Sequence, residues 1–577
     1  MISALRLQHV MRQNTTSSID TLVSTSTRIH KRCFQSRADY EQWTHRMKTS
    51  RMITSSPRLT QVNAKTAAPF LYSVSPISDR LLLYSYAAHE EEDKNDENDS
   101  TSTTTSGKSP FSSMLECIYP LSESRYSNHH GYSSSETIMD KKTDASDLDI
   151  LRASVSDPTL SSFRLAKFYS DVDALTADVA YRHTAASSNS DSTTSNIAFV
   201  TAGHYHSRKI HQTDITNDLI LRCYPTHTGT ASMEIRTDAL QRDANGNEIL
   251  VNVCFTSMVA VDKDTLRPVK GTIPKLIFRN HEKNANNDDA AHGSDSNSDG
   301  KYTSSGQEES RQQIRTEMAQ QHGQIRKERF ATSMQLRHGP SSSPPTQQEM
   351  TDIHALHQQV IMNQYHTATS SSSTSTNALP HVHEHTYRSS VVIYPEKRNV
   401  HGKLFGGFVM EQGHILAQYA ADFYLDHSLH HADSDSDIDS ESDNHSSSKT
   451  NSNEKQQADR AIPLGLDEAI FLQPISIGDH VTFTARVVHS TPRACRIVVI
   501  VEVRDPANRN SAPLRSNRLS FLFGGSGFPN HGIVPDGYDE ILMHVDAKRR
   551  MGVEGPLDEE VERILLDEEV ERILSEV

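Results

Sequence analysis

Hydrophobic positions recur at helical spacing in two parts of the chain. Between residues 162 and 183, apolar side chains follow one another at steps of three and four, which places them on one face of a helix. These side chains are Leu165, Phe168, Val172, Leu175 and Val179. A second, mostly apolar run over 406–425 begins at Gly406-Gly407, directly after a polar loop. The sequence therefore predicts two long helices, each with an apolar face.

Each predicted helix is followed by segments in which apolar and polar residues alternate, a pattern typical of half-buried strands. After the first helix these segments are 219–223, 233–239 and 249–255, and after the second helix residues 481–487 alternate in the same way. Strands are also predicted after the second helix at 469–472, 497–503 and 519–523. Further strands are predicted at 115–121 and 389–394. The order of helix and then antiparallel strands occurs twice, which predicts an α+β fold.

Long tracts rich in Ser, Asp, Asn and Thr separate these segments. Only 35% of the 577 residues are apolar, and such tracts cannot bury enough surface to offset the entropy lost on ordering. We therefore expect two modest domains. The predicted divisions are a poorly ordered region over 39–110, a domain over 111–280, a polar linker that could contain a helix over 281–386, a second domain over 387–530 with a disordered insertion at 427–460, and a tail over 531–577 that carries a tandem LDEEVERIL helix.

The amino terminus differs in charge from the rest of the chain. Residues 1–38 contain six basic residues and a single acid, Asp20, together with many Ser and Thr. This composition is typical of a mitochondrial transit peptide, although an ordinary disordered tail is the alternative. The pattern predicts import into the mitochondrial matrix.

Charge and motif content exclude several classes of function. The formal net charge of −16 argues against a nucleic-acid partner. No apolar run approaches the roughly 18 residues of a membrane span. The five cysteines form no C-x-x-C pair and are interpreted as free thiols in a reducing compartment. The serine-hydrolase, P-loop and dinucleotide motifs are missing, so any chemistry must use carboxylates, amides and helix termini.

One histidine-rich run invites a metal interpretation. His381, His383 and His385 alternate with Val382 and Glu384, but the chain contains 31 histidines and shows no second ligand cluster at the spacing of a metal site. Compositional bias is the better explanation of this run from sequence alone. No metal is predicted.

Candidate chemistry lies at the start of the second helix and on the side of the first. Asn399 precedes Gly406 and Gly407, and a helix N-terminus offers unpaired N–H groups that suit a carbonyl oxygen becoming negative. A buried helix with a Gly-rich first turn explains the same residues without a function. Asp173 lies beside the apolar stripe of the first helix, where an exposed helical aspartate is the commoner situation.

Four segments carry a resemblance to a known family. The loop RNVHGKLFGGFVM at 398–410 and the run DEAIFLQPISIG at 467–478 match a loop and a strand of that family, and SDVDAL at 170–175 and TASMEI at 230–235 match elements of its first domain. These segments resemble mitochondrial acyl-CoA thioesterases of the acyl-CoA thioesterase 9 type. The resemblance implies two hot-dog domains in tandem, each a long central helix wrapped by an antiparallel sheet, forming an intramolecular pseudodimer.

The resemblance also implies an activity and a site. The chain would hydrolyse fatty acyl-CoA to a free fatty acid and CoA, with Asp173 as base or nucleophile. Asn399 and the backbone N–H of Gly406 or Gly407 would position water and polarise the carbonyl. Aligning the two helices places His414 opposite Asp173, so the pairing of Asn399 with Asp173 is the complete combination. His414 is then interpreted as a relic of a second site.

Other implied features concern the substrate. Asp467 and Glu468 are weaker candidates for substrate binding, and Arg398 and Lys403 could meet the CoA phosphates, although loop bases are more often merely solvated. No cofactor is expected, because CoA belongs to the substrate, and the partners would be acyl-CoA and further copies in a homo-oligomer of pseudodimers. The alternatives are a hot-dog hydratase or dehydratase, which usually needs a His/Asp or His/Glu pair not found near the first helix, and a silent acyl-CoA-binding scaffold.

Overall fold

The structure, a computed structural model, describes part of the chain in detail. The described residues are 59–75, 80–86, 107–122, 144–157, 162–185, 196–209, 213–242, 246–276, 317, 345–369, 380–399, 401–433, 460–508, 511–525, 528–529 and 532–553. They fall into two compact units. The N-terminal unit lies within Glu41–Tyr205 and Thr213–Glu328, and the C-terminal unit lies within His206–Gln212 and Arg329–Val577.

The N-terminal unit consists of a sheet and one long helix. Its sheet has the strand order β1-β2-β3-β7-β8-β9-β6, and the pairs from β1 to β9 in that order are antiparallel. In chain order the elements are β1 Leu59–Val62, α1 Ala64–Ala67, α2 Pro69–Val74, β2 Leu82–Tyr86, α3 Pro110–Ser113, β3 Leu115–Tyr119, α4 Asp144–Val155, β4 Ser156–Asp157, β5 Ser162–Phe163, α5 Leu165–Thr184, β6 Ile197–Lys209, β7 Leu219–Thr228, β8 Ser232–Arg242 and β9 Glu248–Asp262.

Helix α5 is the first long helix predicted from the sequence. Its apolar stripe is buried, and the helix contacts β7, β8 and β9 on one side and α2 on another. Because neighbours surround it, the helix also buries polar residues, among them Asp171, Asp173 and Asp178. The alternative that Asp173 is an exposed helical aspartate does not hold, since only 3% of it is exposed.

The C-terminal unit repeats the combination of a long helix and an antiparallel sheet. Its strand order is β11-β14-β13-β12-β10, and all four pairs are antiparallel. The elements are α6 Gln347–Thr369, β10 Thr386–Val392, a 3₁₀ turn at Pro395–Lys397, α7 Gly406–Asp433, β11 Ile462–Phe471, β12 His480–Thr491, β13 Ala494–Arg504, β14 Leu514–Gly524 and α8 Tyr538–Val553.

Helix α7 approaches its sheet closely. It contacts all five strands of the unit, and a Cβ atom added at Gly413 would lie 2.2 Å from Cδ1 of Leu519. Leu519 is itself fully buried, so it has little room to retreat. Glycine at this position therefore lets the helix axis lie near β14.

Several sequence predictions need correction. Residues 59–75 and 80–86 contribute β1, α1, α2 and β2, whereas the sequence predicts a poorly ordered region over 39–110. Strand β6 was not predicted, and α7 continues to Asp433, into the insertion predicted at 427–460. Helix α6 lies in the linker over 281–386, for which a helix was considered. Strands β1, β2 and β6 pair within the sheet, α2 packs on α5, and α7 contacts its own sheet, so contacts between distant segments order these elements.

Other predictions fall on residues that the structure does not describe. The predicted transit peptide at 1–38 and the LDEEVERIL repeat lie outside the described residues, as does most of the predicted linker over 281–386. Within the described residues, Cys117, Cys223, Cys254 and Cys495 form no disulfide, and all four are buried. No helix among the described residues is long and apolar enough to cross a membrane.

Asp178 links α5 to α2 through hydrogen bonds. Its two carboxylate oxygens accept the backbone N–H groups of Phe70 and Leu71 at 3.0 Å each, at the first turn of α2. Burial outweighs these hydrogen bonds and raises the pKa of Asp178 from 3.8 to about 7. The folded state therefore holds this proton more tightly than the unfolded chain does.

We expect Asp178→Asn to change how stability depends on pH. Because the folded-state pKa is raised, the wild type binds more protons when folded and loses stability relative to the variant as pH rises from 3.8 towards 7. The free energy of unfolding of both proteins, measured by chemical denaturation across this range, tests the prediction. A difference between wild type and variant that does not change with pH would contradict it.

Candidate functional site

Asp173 is held by two groups of strand β6. The hydroxyl of Thr201 donates to Oδ1 of Asp173 at 2.7 Å, and Nε2 of His204 lies 3.1 Å from the same oxygen. Oδ2 takes no part in either contact. The carboxylate is therefore fixed through one oxygen, which sets the direction of the other.

The contacts continue from His204 to the neighbouring strand β9. Nδ1 of His204 lies 2.9 Å from the hydroxyl oxygen of Thr256 and 3.7 Å from the sulfur of Cys254. His204 is fully buried. The result is a line of contacts from Thr256 through the imidazole to Asp173, all within the N-terminal unit.

The three buried acids of α5 have different surroundings. Asp171 contacts the ammonium group of Lys167 and the hydroxyl of Tyr119, and Asp178 caps α2. Both of these acids serve packing between elements. Among the three, Asp173 is the one that contacts an imidazole, that of His204.

Asn399 builds the turn that precedes α7. Its Oδ1 accepts the backbone N–H of His401 at 2.9 Å and of Lys403 at 3.1 Å. The turn also has hydrogen bonds from Asn399 N to Lys403 O and from Gly402 N to Asn399 O, and Gly402 has a φ of +69°. Because both partners of the side chain are N–H donors, the amide oxygen must face the turn, and the Nδ2 group points away from these two donors.

The predicted glycines stand at the start of α7. The helix begins at Gly406, so the N–H groups of Gly406 and Gly407 belong to the first turn, which has no partners within the helix. The preceding residues are held by the loop between β11 and β12, since Leu404 N donates to Ile475 O at 2.9 Å. The turn and the helix N-terminus thus form one ordered group of donors.

The predicted phosphate-binding bases differ in their surroundings. Nζ of Lys403 donates to the hydroxyl of Ser476 at 3.1 Å, so this side chain lies along the turn. Arg398 is exposed to solvent. Both lie beside the turn of Asn399, but the structure assigns neither to a substrate.

His414 lies among aromatic rings in the C-terminal unit. It is buried, and its ring lies 5.3 Å from that of Phe521 and 5.8 Å from that of Phe523. These neighbours differ from the hydroxyl groups around Asp173.

Asp467 has a structural partner. Its Oδ2 forms an ion pair with Arg496 and accepts the hydroxyl of Ser520 at 3.4 Å. Asp467, its neighbour Glu468 and Arg496 are at most 3% exposed. Asp467 therefore links β11 to β13 and β14.

The residues brought together around Asp173 include three that sequence reasoning missed. Thr201 and His204 lie on the unpredicted strand β6, and Thr256 lies one residue beyond the predicted strand at 249–255. The run IAFVTAGHY at 197–205 contains the β-branched and aromatic residues of a strand, and this signal could have placed His204. The sequence finding that no His/Asp pair exists near the first helix is therefore wrong. Asn399 and Asp173 belong to different units.

A separate group of side chains could hold a metal ion. His381, His383 and Asp536 place their ligand atoms within 4.8 Å of one another in the C-terminal unit, and this is the single group of three such residues found in the described part of the chain. Asp536 is far from the histidines in sequence, which is why the run at 381–385 appeared to lack a partner.

Comparison with known proteins gives structural neighbours but no family. No protein-family model matches the chain, and no curated protein matches it. Similar solved structures include an acyl-CoA hydrolase from Staphylococcus aureus in complex with butyryl coenzyme A, with 17% identity, 34% of this chain and 95% of that chain covered, and a TM-score of 0.22. An acyl-ACP thioesterase from Bacteroides thetaiotaomicron has 8% identity, 64% and 93% coverage and a TM-score of 0.31.

A third neighbour is an apo hexameric acyl-CoA thioesterase, with 19% identity, 30% and 84% coverage and a TM-score of 0.20. Acyl-CoA hydrolases and thioesterases are thus among the solved structures similar to this chain. Identities and TM-scores this low carry no argument about its activity, which has to rest on its own residues.

We expect Asp467→Ala to act on stability. The substitution leaves the buried guanidinium of Arg496 without its carboxylate, and breaking such a pair costs about 3–5 kcal/mol. The double variant Asp467→Ala/Arg496→Met removes both charges and should recover part of this loss. Urea denaturation measures the free energy of unfolding of each protein. Unchanged stability in the single variant would contradict the structural role of Asp467.

Proposed function

We propose that the chain is an acyl-CoA thioesterase of the double hot-dog type, in which each unit is one hot-dog domain. The reaction would convert a fatty acyl-CoA and water to a free fatty acid and CoA. The observation that carries the proposal is Asp173, a buried carboxylate on the central helix that is held through one oxygen by Thr201 and His204. The motifs at 398–410 and 467–478 support the same activity.

The geometry of Asp173 suits a general base. With Oδ1 engaged, Oδ2 is the oxygen available to take a proton from water, whose oxygen attacks the thioester carbonyl carbon. The carbonyl oxygen becomes negative in the tetrahedral intermediate. The C–S bond then breaks, CoA leaves as a thiolate, and the thiolate takes up a proton. A direct attack by the carboxylate, giving an anhydride that water opens, uses the same oxygen.

Asn399 suits the role of a donor to the carbonyl oxygen. Its Oδ1 is engaged by the turn, which leaves the Nδ2 group as the part of the amide that can meet a developing negative charge. The N–H groups of Gly406 and Gly407 supply further donors at the positive end of α7. Preorganised donors of this kind lower the barrier because they need no rearrangement during the reaction.

A second candidate function is hydration of a 2-enoyl thioester. The contact between His204 and Asp173 at 3.1 Å provides the His/Asp pair that such chemistry usually uses. Water would add across the carbon–carbon double bond, and the thioester would remain intact. The two reactions are separated by their products, since hydrolysis releases a free thiol and hydration does not.

Further features of the proposal concern the substrate and the cell. We propose that Arg398 and Lys403 meet the CoA phosphates, that Glu468 and Asp467 lie near the substrate, that the protein forms a homo-oligomer and that it works in the mitochondrial matrix. Light scattering of the purified protein and imaging of a fluorescent fusion would test the last two points.

We expect Asp173→Asn to remove most thioesterase activity. The amide cannot accept the proton of water, and loss of a general base lowers kcat by about 10²–10⁴-fold. Free CoA released from acyl-CoAs of several chain lengths, measured with a thiol reagent, gives the rate. The loss of enoyl-thioester absorbance without thiol release is followed in parallel and reports hydration.

Asp171→Asn is the matched control, because Asp171 is a buried acid of the same helix that contacts Lys167 and Tyr119. We expect it to lower the melting temperature and to retain kcat per folded molecule. Full activity of Asp173→Asn would overturn its role as base. A wild type that releases no thiol and consumes no enoyl substrate would instead support a silent acyl-CoA-binding protein.

Asn399→Asp separates the role of Asn399 as an acceptor in the turn from its proposed role as a donor to the carbonyl oxygen. The carboxylate still offers an oxygen to the N–H groups of His401 and Lys403, so the turn and the melting temperature should be retained. It lacks the Nδ2 donor and adds a negative charge, so kcat should fall by about 10²–10³-fold, as for loss of an oxyanion donor.

Asn399→Ala serves as the comparison, because it removes both the turn acceptor and the donor. We expect it to lower stability and kcat together, as measured by thermal melting and thiol release. Wild-type kcat in Asn399→Asp would show that Asn399 only shapes the turn.

A further inference from the structure

We propose that His381, His383 and Asp536 form a binding site for one divalent transition-metal ion of the zinc, cobalt and nickel group. Nδ1 of His381 lies 2.5 Å from Oδ1 of Asp536, and Nδ1 of His383 lies 2.6 Å from Oδ2. Two imidazole nitrogens thus converge on the two oxygens of one carboxylate. This donor set of two nitrogens and oxygen is the one that these ions prefer.

The distances need only a small change for a bound ion. Zinc bonds to nitrogen and oxygen are about 2 Å long, so neighbouring ligand atoms stand roughly 3 Å apart around the ion. The imidazoles contact the carboxylate directly. Rotation of the His383 side chain, which is 64% exposed, opens this space without disturbing the core.

The backbone holds the two ligand segments side by side. Val382 N donates to Val534 O at 3.0 Å, and Val534 N donates to Pro380 O at 2.9 Å. Val382 and Val534 are fully buried. The ligands therefore project from a paired backbone that is fixed by the core, and the site exists before an ion binds.

Two carboxylates accept hydrogen bonds from the backbone of the same segments. Glu384 accepts the N–H of His381 at 2.9 Å, and Glu540 accepts the N–H groups of Asp536 and Gly537 at 2.9 and 3.3 Å. They add negative charge beside the cluster, which favours a cation. The partial exposure of His383 and Asp536 leaves room for water to complete the coordination of the ion.

The position of the site suggests what a bound ion would do. Asp536 lies just before α8, which packs through Met543 and Ala547 on Val488, Val498 and Ile500 of the sheet. His381 and His383 lie just before β10. An ion shared by these residues would fasten the start of α8 to the start of β10, and binding to the folded state alone would raise the melting temperature.

The test uses the untagged full-length protein after treatment with EDTA, because a histidine tag would bind the same ions. Cobalt(II) is titrated in and followed by its visible absorption, and zinc binding is measured by calorimetry. The variant is His381→Gln/His383→Gln. The matched control is His354→Gln/His480→Gln, which also removes two histidines, both exposed and outside the cluster.

Wild type and control should bind one more cobalt ion per chain than the His381→Gln/His383→Gln variant, and zinc should raise their melting temperature but not that of the variant. Equal stoichiometry and equal thermal shifts in all three proteins would overturn the proposal and assign metal binding to the many other histidines. Circular dichroism in EDTA checks folding. If the double variant does not fold, Asp536→Ala provides the same comparison.

Discussion

The burial of α5 is the constraint on which the N-terminal unit depends. A helix enclosed by a sheet and by α2 has few positions where a charged side chain can reach water, and a buried charge without a partner is costly. Each acid of α5 therefore has its own arrangement. Asp171 has Lys167 and Tyr119, Asp178 has the start of α2, and Asp173 has Thr201 and His204. The first two hold elements together.

Asp173 differs from Asp171 and Asp178 in the groups that hold it. A hydroxyl and an imidazole on one oxygen orient the carboxylate, and the imidazole continues to Thr256 on the next strand. These contacts resist rotation of the carboxylate. General-base chemistry requires a fixed carboxylate, since a small misplacement of the base lowers the rate strongly. The same line also places a histidine near any substrate that reaches Asp173. This is why hydrolysis and hydration both remain chemically reasonable for the site.

The C-terminal unit uses its helix differently. Helix α7 contributes its N-terminus, and the turn before it is shaped by the side-chain oxygen of Asn399 and by the positive φ of Gly402. The middle of α7 is apolar where α5 is acidic, with His414 among the rings of Phe521 and Phe523. The two units thus share an architecture but present different chemical groups, the acid in one and the oriented donors in the other.

The elements that could be predicted from the sequence are those with a strong local period. The apolar stripe of α5 and the alternation in β8 and β12 are visible without a structure. His204 and Asp536 were missed because their importance depends on contacts between segments distant in sequence. A histidine in a chain with 31 of them carries little information by itself. The role of such a histidine depends on the carboxylate that it contacts. The pairing of distant segments in the fold decides which carboxylate that is.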